Sequence, residues 1–200
     1  MKVLWWVLGI WFITAFMLTV INPLPAASLV ERMLIIAGPI ALLVLFISFF
    51  SGFQRVMRQI PGRTLIMLHI IRLPAGGVFI VLAEQGLLPY DFAWPAGIGD
   101  IIVGAVALAI VVISRKTAIH PALLASFNVI GLLDFINVQR VVAGLTGAGR
   151  NAEFVAMQGP PLALIPYFIV PLLFFTHLYM LARLARHDRS LFLQPATRVE

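Results

Sequence analysis

The chain has 200 residues, of which 62% are hydrophobic and 11% charged, with a mean hydropathy of +1.04. The apolar share is well above, and the charged share well below, that of an ordinary soluble domain, so the composition is that of a lipid-embedded protein. Cysteine is absent, which excludes disulfides, thiolate metal sites and cysteine nucleophiles.

Six apolar runs are each close to the ~20 residues that carry a helix across a bilayer. They lie at 3–21, 33–51, 64–84, 96–114, 121–142 and 161–184. In the first, Lys2 precedes the apolar stretch and Pro25-Ala26-Ala27-Ser28 supplies small residues, as in a secretory signal. The run exceeds the roughly 7–15 residues of a signal core, so it is read as a spanning helix. Asn22-Pro23-Leu24-Pro25 then breaks the chain before the second run, and Pro61-Gly62 before the third. The third contains His69 and the sequence Arg72-Leu73-Pro74-Ala75-Gly76-Gly77. Pro74 cannot donate to the carbonyl of Ile70, which predicts a kink near mid-membrane.

Gly86-Leu87-Leu88-Pro89 leads into the fourth run, where Gly97, Asp100, Gly104 and Ala107 make a face small enough for a neighbouring backbone to approach. In the fifth, Asn128, Gly131, Asp134, Asn137 and Arg140 recur every three residues as a polar stripe that winds around the helix. A glycine-rich stretch from Gly144 to Pro161 precedes the sixth run, which carries His177.

Lys2, Arg55, Arg58, Arg63, Arg115, Lys116, Arg183, Arg186 and Arg189 fall on one side of this map, with Arg32 and Arg150 on the other. The formal net charge of +6 is therefore a topology signal and implies no nucleic-acid partner. The expected fold is all-α: a single bundle of six transmembrane helices over residues 1–184, both termini cytoplasmic, with a cytoplasmic tail at 185–200. The expected location is the inner, cytoplasmic membrane of a bacterium, with the lipid bilayer as first partner and a homo-oligomer or larger membrane complex as further assembly.

An ionised side chain in hydrocarbon costs at least about 2.5–3.5 kcal/mol, so such residues pair or face a polar interior. Arg72, Asp100, Asn128, Asp134, Asn137, Gln139 and Arg140 form the candidate site. In the leading expectation it binds or passes a small polar or anionic solute in a protein that is not an enzyme, or belongs to an accessory subunit. Arg72 and Arg140 receive an anionic group, Asp100 and Asp134 balance or shuttle charge, and Asn128, Asn137 and Gln139 make neutral contacts.

Two other readings use the same segments. His69 and His177 lie at similar depth on helices of opposite direction, and imidazoles from facing helices hold haem in membrane bundles, which would make the chain a haem b redox subunit. With His120 they are also a candidate divalent-metal set. Gly97-Ile98-Gly99-Asp100, with Pro121-Ala122-Leu123, resembles the G-x-G-D and P-A-L motifs of the intramembrane aspartyl proteases. That resemblance implies an aspartyl hydrolase in which Asp100 and a second carboxylate, here Asp134, activate water between them. In the family the partner aspartate precedes the G-x-G-D helix, whereas Asp134 follows it and the preceding Asp91 falls in a predicted loop.

Overall fold

Backbone amides in hydrocarbon have no water to bond, so long apolar runs close their hydrogen bonds within helices. The computed structural model describes residues 2–21, 29–115 and 117–188, and every regular element among them is helical. In chain order these are α1 (Lys2–Ile21), α2 (Leu29–Phe49), α3 (Ser51–Arg58), α4 (Gly62–Met67), α5 (Arg72–Glu84), α6 (Tyr90–Ile113), α7 (Pro121–Gly147) and α8 (Val170–Ala185). The turn at Asn22–Pro25, the small residues through Ser28, Lys116 and the tail from Arg189 lie outside the described residues, as do the side chains of Lys2 and Arg32.

Five segments are long and apolar enough to cross a membrane, or six when α2 and α3 are counted as one broken span. These two helices meet at 99° after Phe49. The second apolar run therefore ends two residues earlier than expected. Phe53 and Met57, four residues apart, are buried on one face of α3, while Arg55 and Arg58 are exposed. An apolar stripe opposite arginines is the pattern of a helix lying in the membrane interface.

Pro74 shapes the next span. Where a kink is expected, a 3-10 turn at Leu68–Ile71 joins α4 to α5, and Gly62–Glu84 remains one span. Tightening to i→i+3 bonds is the usual accommodation where an α-helical bond is lost. α6 begins at Tyr90, six residues before the expected start, with Pro89 as its extended N-cap. Asp91 is thus in the first helical turn, where a carboxylate suits the positive end of the helix, and not in a loop. α7 runs five residues past the expected end to Gly147, and the last span enters through a π-turn at Ile165–Ile169.

α5 and α6 make the closest helix pair because glycines face each other. A Cβ on Gly76 would overlap the carbonyl of Gly97, and one on Gly97 would meet the Gly76 carbonyl oxygen at 2.8 Å. α7 and α8 pack beside this pair, and two buried apolar clusters occupy the ends of the bundle. One gathers Phe53, Leu65, Val111, Leu124 and Met180 at the arginine-rich end; the other gathers Phe79, Leu88, Phe92, Phe154 and Met157 at the opposite end. Arg72 of α5, Asp100 of α6, Asn128 and Asp134 of α7 and His177 of α8 fall in the layer between. α1 leans on the π-turn, with Ala15 packed against Ala163 and Tyr167, and Trp11 Nε1 donating to the Tyr167 carbonyl at 3.2 Å. Its other faces expose Trp5, Trp6, Ile13 and Val20, as a lipid-facing helix should.

Candidate functional site

Arg72 starts α5 immediately after the 3-10 turn and projects into the bundle with 2% exposure. Its Nε donates to Asp100 Oδ1 of α6 at 2.5 Å, and its Nη2 donates to Asp134 Oδ2 of α7. The guanidinium face lies over the ring of Phe135, 4.2 Å from Cζ to the ring centre, a cation–π contact strengthened by burial. One arginine thus ties three helices together through two carboxylates, and the formal charge of the triad is −1. Gly99 makes room for this: a Cβ there would overlap the Asp134 carboxylate.

Toward the arginine-rich end, His69 and His177 meet with ring centres 4.0 Å apart and planes inclined by 36°. Their protonation follows from their partners. Thr176 donates its hydroxyl to the Leu173 carbonyl at 2.8 Å, so its oxygen accepts from His69 Nε2–H at 2.9 Å. Asn128 donates its amide to the Leu124 carbonyl at 2.7 Å, leaving Oδ1 to accept from His177 Nδ1–H at 2.9 Å. His69 Nδ1, His177 Nε2 and Arg72 Nη1 are buried and have no hydrogen-bond partner among the described residues. His177 Nε2 points at α7, where a Cβ on Gly131 would overlap it.

On the other side of the triad a cavity of about 110 Å³ opens between α2, α5, α6, α7 and the π-turn. Phe79, Phe92, Phe135 and Phe154 wall it, with Asp100 and Gln139 among its few polar groups. The 148–158 segment covers this end. Arg150 grips Glu153 through Nε and Nη2 at 2.6 and 2.7 Å and reaches Asp91 through Nη1 at 2.7 Å, while Ala156 N–H donates to the Leu87 carbonyl at 3.1 Å. Bidentate bonding by Arg150 holds the Glu153 carboxyl below its ordinary range.

The arrangement assembles some of the expected residues and not others. Arg72, Asp100, Asn128 and Asp134 share the buried layer, and Gln139 reaches the cavity. Arg140 is exposed and, among the described residues, donates to Asn137 Oδ1 at 3.2 Å on its own helix. A three-residue repeat drifts about 60° per step on a helix of 3.6 residues per turn, so the stripe that begins buried at Asn128 has turned outward by Arg140. With Arg72 committed to two carboxylates and Arg140 elsewhere, the pair expected to receive an anion is not assembled around one.

The histidines meet, but not as axial haem ligands. Axial ligation places the iron and porphyrin between the two imidazoles, and rings stacked at 4.0 Å leave no space for a macrocycle. His120 is exposed at the N-cap of α7, where Nδ1 accepts from Ala122 N–H at 3.2 Å. Among the described residues, no three His, Asp or Glu side chains are placed to hold a metal ion. For the G-x-G-D resemblance, the Arg72 guanidinium stands between Asp100 and Asp134, where a water activated by both would have to stand. Pro121-Ala122-Leu123 forms the first turn of α7, away from that pair.

Phe135 and the other aromatic walls of the cavity were not anticipated. Phe135 is adjacent to Asp134, yet an aromatic residue in an apolar run carries no sequence mark that separates a cavity wall from a lipid-facing ring.

Fold and site together define an all-helical protein with five or six helices apolar enough to span a membrane, built around a buried Arg–Asp–Asp triad and a stacked histidine pair. The chain belongs to the family described as a domain of unknown function, DUF8737, whose model matches residues 29–185. The match takes in α2 through α8 and hence the whole polar layer. Neither the curated proteins nor the solved structures give a match to the chain.

Proposed function

We propose that this is a polytopic protein of a bacterial cytoplasmic membrane, both termini cytoplasmic, that binds a small solute in the aromatic cavity above Asp100. The orientation is supported by Arg55, Arg58, Arg115, Arg183 and Arg186, which gather at the end of the bundle holding α3 and the last turn of α8. The observation that carries the binding reading is Asp100, which belongs both to the cavity lining and to a triad with one carboxylate in excess. A mostly apolar pocket with a few convergent polar groups is the usual form of a small-molecule site. Phenyl faces and a net negative floor favour a solute with an apolar body and a donor or cationic end over an anion.

The test uses three ligands of one size on the detergent-purified protein: benzylamine, benzyl alcohol and benzoate. Benzylamine should raise the melting temperature most and benzoate least. Asp100→Asn should remove the preference for the amine, and Gln139→Leu should weaken all three without touching the triad. Equal stabilisation by benzoate, or no response to any of the three, overturns the reading.

A further inference from the structure

A second cavity lies at the opposite end of the molecule, where α2 bends into α3 beside the last turn of α8. Its volume is about 540 Å³, and its lining combines Arg58, Arg183 and Arg186 with Asp188, Tyr179 and Ile47. Three arginines against one aspartate leave a formal excess of two positive charges. Arg183 is the fixed member: it is 4% exposed, donates through Nε to Asp188 Oδ2 and through Nη1 to the Ile60 carbonyl, each at 2.8 Å, and so joins α8 to the α3–α4 connection. Arg58 and Arg186 are exposed at the rim. Tyr179 is 8% exposed, and its buried hydroxyl has no hydrogen-bond partner among the described residues.

The surroundings point to lipid. At the 99° bend, Phe49 and Phe50 are 78% and 57% exposed, and α3 continues with its arginines outward, the pattern of a segment at the boundary between acyl chains and headgroups. Ile47 and Ala182 are the aliphatic members of the cavity lining. Guanidinium groups match phosphate oxygens with paired donors, and a phenol hydroxyl supplies a neutral one.

We infer that this cavity is a binding site for the phosphate of an anionic phospholipid, held by Arg58, Arg186 and the Tyr179 hydroxyl, with its glycerol and first acyl carbons against Ile47 and Ala182. The site is separate from the aromatic cavity and does not depend on the solute proposed there. It would anchor the bent α2–α3 corner and the end of α8 to one lipid molecule.

The experiment is a thermal-shift titration of the full chain in mixed micelles with phosphatidylglycerol, with phosphatidylcholine and, separately, with inorganic phosphate. Phosphatidylglycerol should stabilise at low mole fraction, phosphatidylcholine only weakly and inorganic phosphate not at all. The double variant Arg58→Gln/Arg186→Gln should need about thirty-fold more phosphatidylglycerol, from the usual contribution of each basic side chain near an anionic headgroup. Should that variant fail to fold, Tyr179→Phe removes only a hydroxyl and should also weaken the phosphatidylglycerol response. Arg115→Gln, at the same end but outside the cavity, should leave the response unchanged. Equal stabilisation by phosphatidylcholine, full reproduction of the effect by inorganic phosphate, or an undiminished response in both the double variant and Tyr179→Phe would overturn the inference.

Discussion

Two clusters of the same composition, one arginine with two carboxylates, sit in two solvents within this chain. Arg72 is buried and its partners Asp100 and Asp134 are mostly covered, with side-chain exposures of 2%, 15% and 12%. Arg150 with Asp91 and Glu153 is open, at 38%, 66% and 42%. Arg72 makes two charge-assisted bonds and Arg150 three, so a larger effect of the Arg72 cluster on stability comes from the medium and not from the number of bonds. In the buried case the charges cannot return to water when a partner is lost; in the open case they do so freely. The first cluster is therefore a constraint on how α5, α6 and α7 assemble, and the second a fastening of a surface segment.

The largest effect is expected at Arg72. Arg72→Met leaves two carboxylates close together without a cation and should cost about 3–5 kcal/mol in unfolding experiments in detergent, with loss of expression as the first sign. Adding Asp100→Asn and Asp134→Asn should recover most of that loss, because the uncompensated charges are then gone. A single Arg72→Met variant as stable as the parent would show that water reaches the triad and that the two clusters do not differ in kind.

Gly131→Ala should come next. The new methyl overlaps His177 Nε2, so the ring must leave its bond to Asn128 or α7 must move, at about 1–3 kcal/mol. Gly144 on the same helix has nothing within 4 Å of a would-be Cβ, so Gly144→Ala should gain slightly from the ~1 kcal/mol better helix propensity of alanine. A comparison of the two variants by unfolding midpoint separates the packing of the polar layer from the general effect of adding a methyl to α7.

The buried layer was partly legible because charge in an apolar run is rare and must be accommodated. Arg72, Asp100 and Asp134 could be picked out on that ground, and the small-residue face of α6 told where a backbone would come close. Sequence could not say that one arginine would take both aspartates, since that choice depends on side-chain rotamers across three helices. The outward position of Arg140 follows from helix geometry alone: a repeat of three on a helix of 3.6 residues per turn cannot keep five residues on one face. The bend after Phe49 was signalled by Phe53 and Met57 set four apart among arginines, a short amphipathic pattern masked by the long apolar run before it. The walls of the aromatic cavity had no such signal, because phenylalanine is equally at home against lipid and against protein.

The smallest effect belongs to the open cluster and depends on pH and salt. Arg150 holds the Glu153 carboxyl below the ordinary value of 4.5, so the folded state binds that proton less readily than the unfolded chain does. The contribution is then fully present above about pH 4.5 and is lost as pH falls through the lowered value. Because the groups are exposed, added salt should weaken the contribution as well, with screening already strong at a Debye length of about 8 Å in 0.15 M salt. Hydrogen exchange at the amides of 150–158 is the suitable readout, since it reports opening of this segment and not of the bundle. Exchange corrected for its intrinsic pH dependence should rise below pH 4.5 in the parent, and Glu153→Gln should show the raised level at every pH, with the global unfolding midpoint unmoved in both. A shift of that midpoint by Glu153→Gln comparable to the one from Arg72→Met would mean that the 148–158 segment holds the helices together, and the contrast between the two arginine clusters would fail.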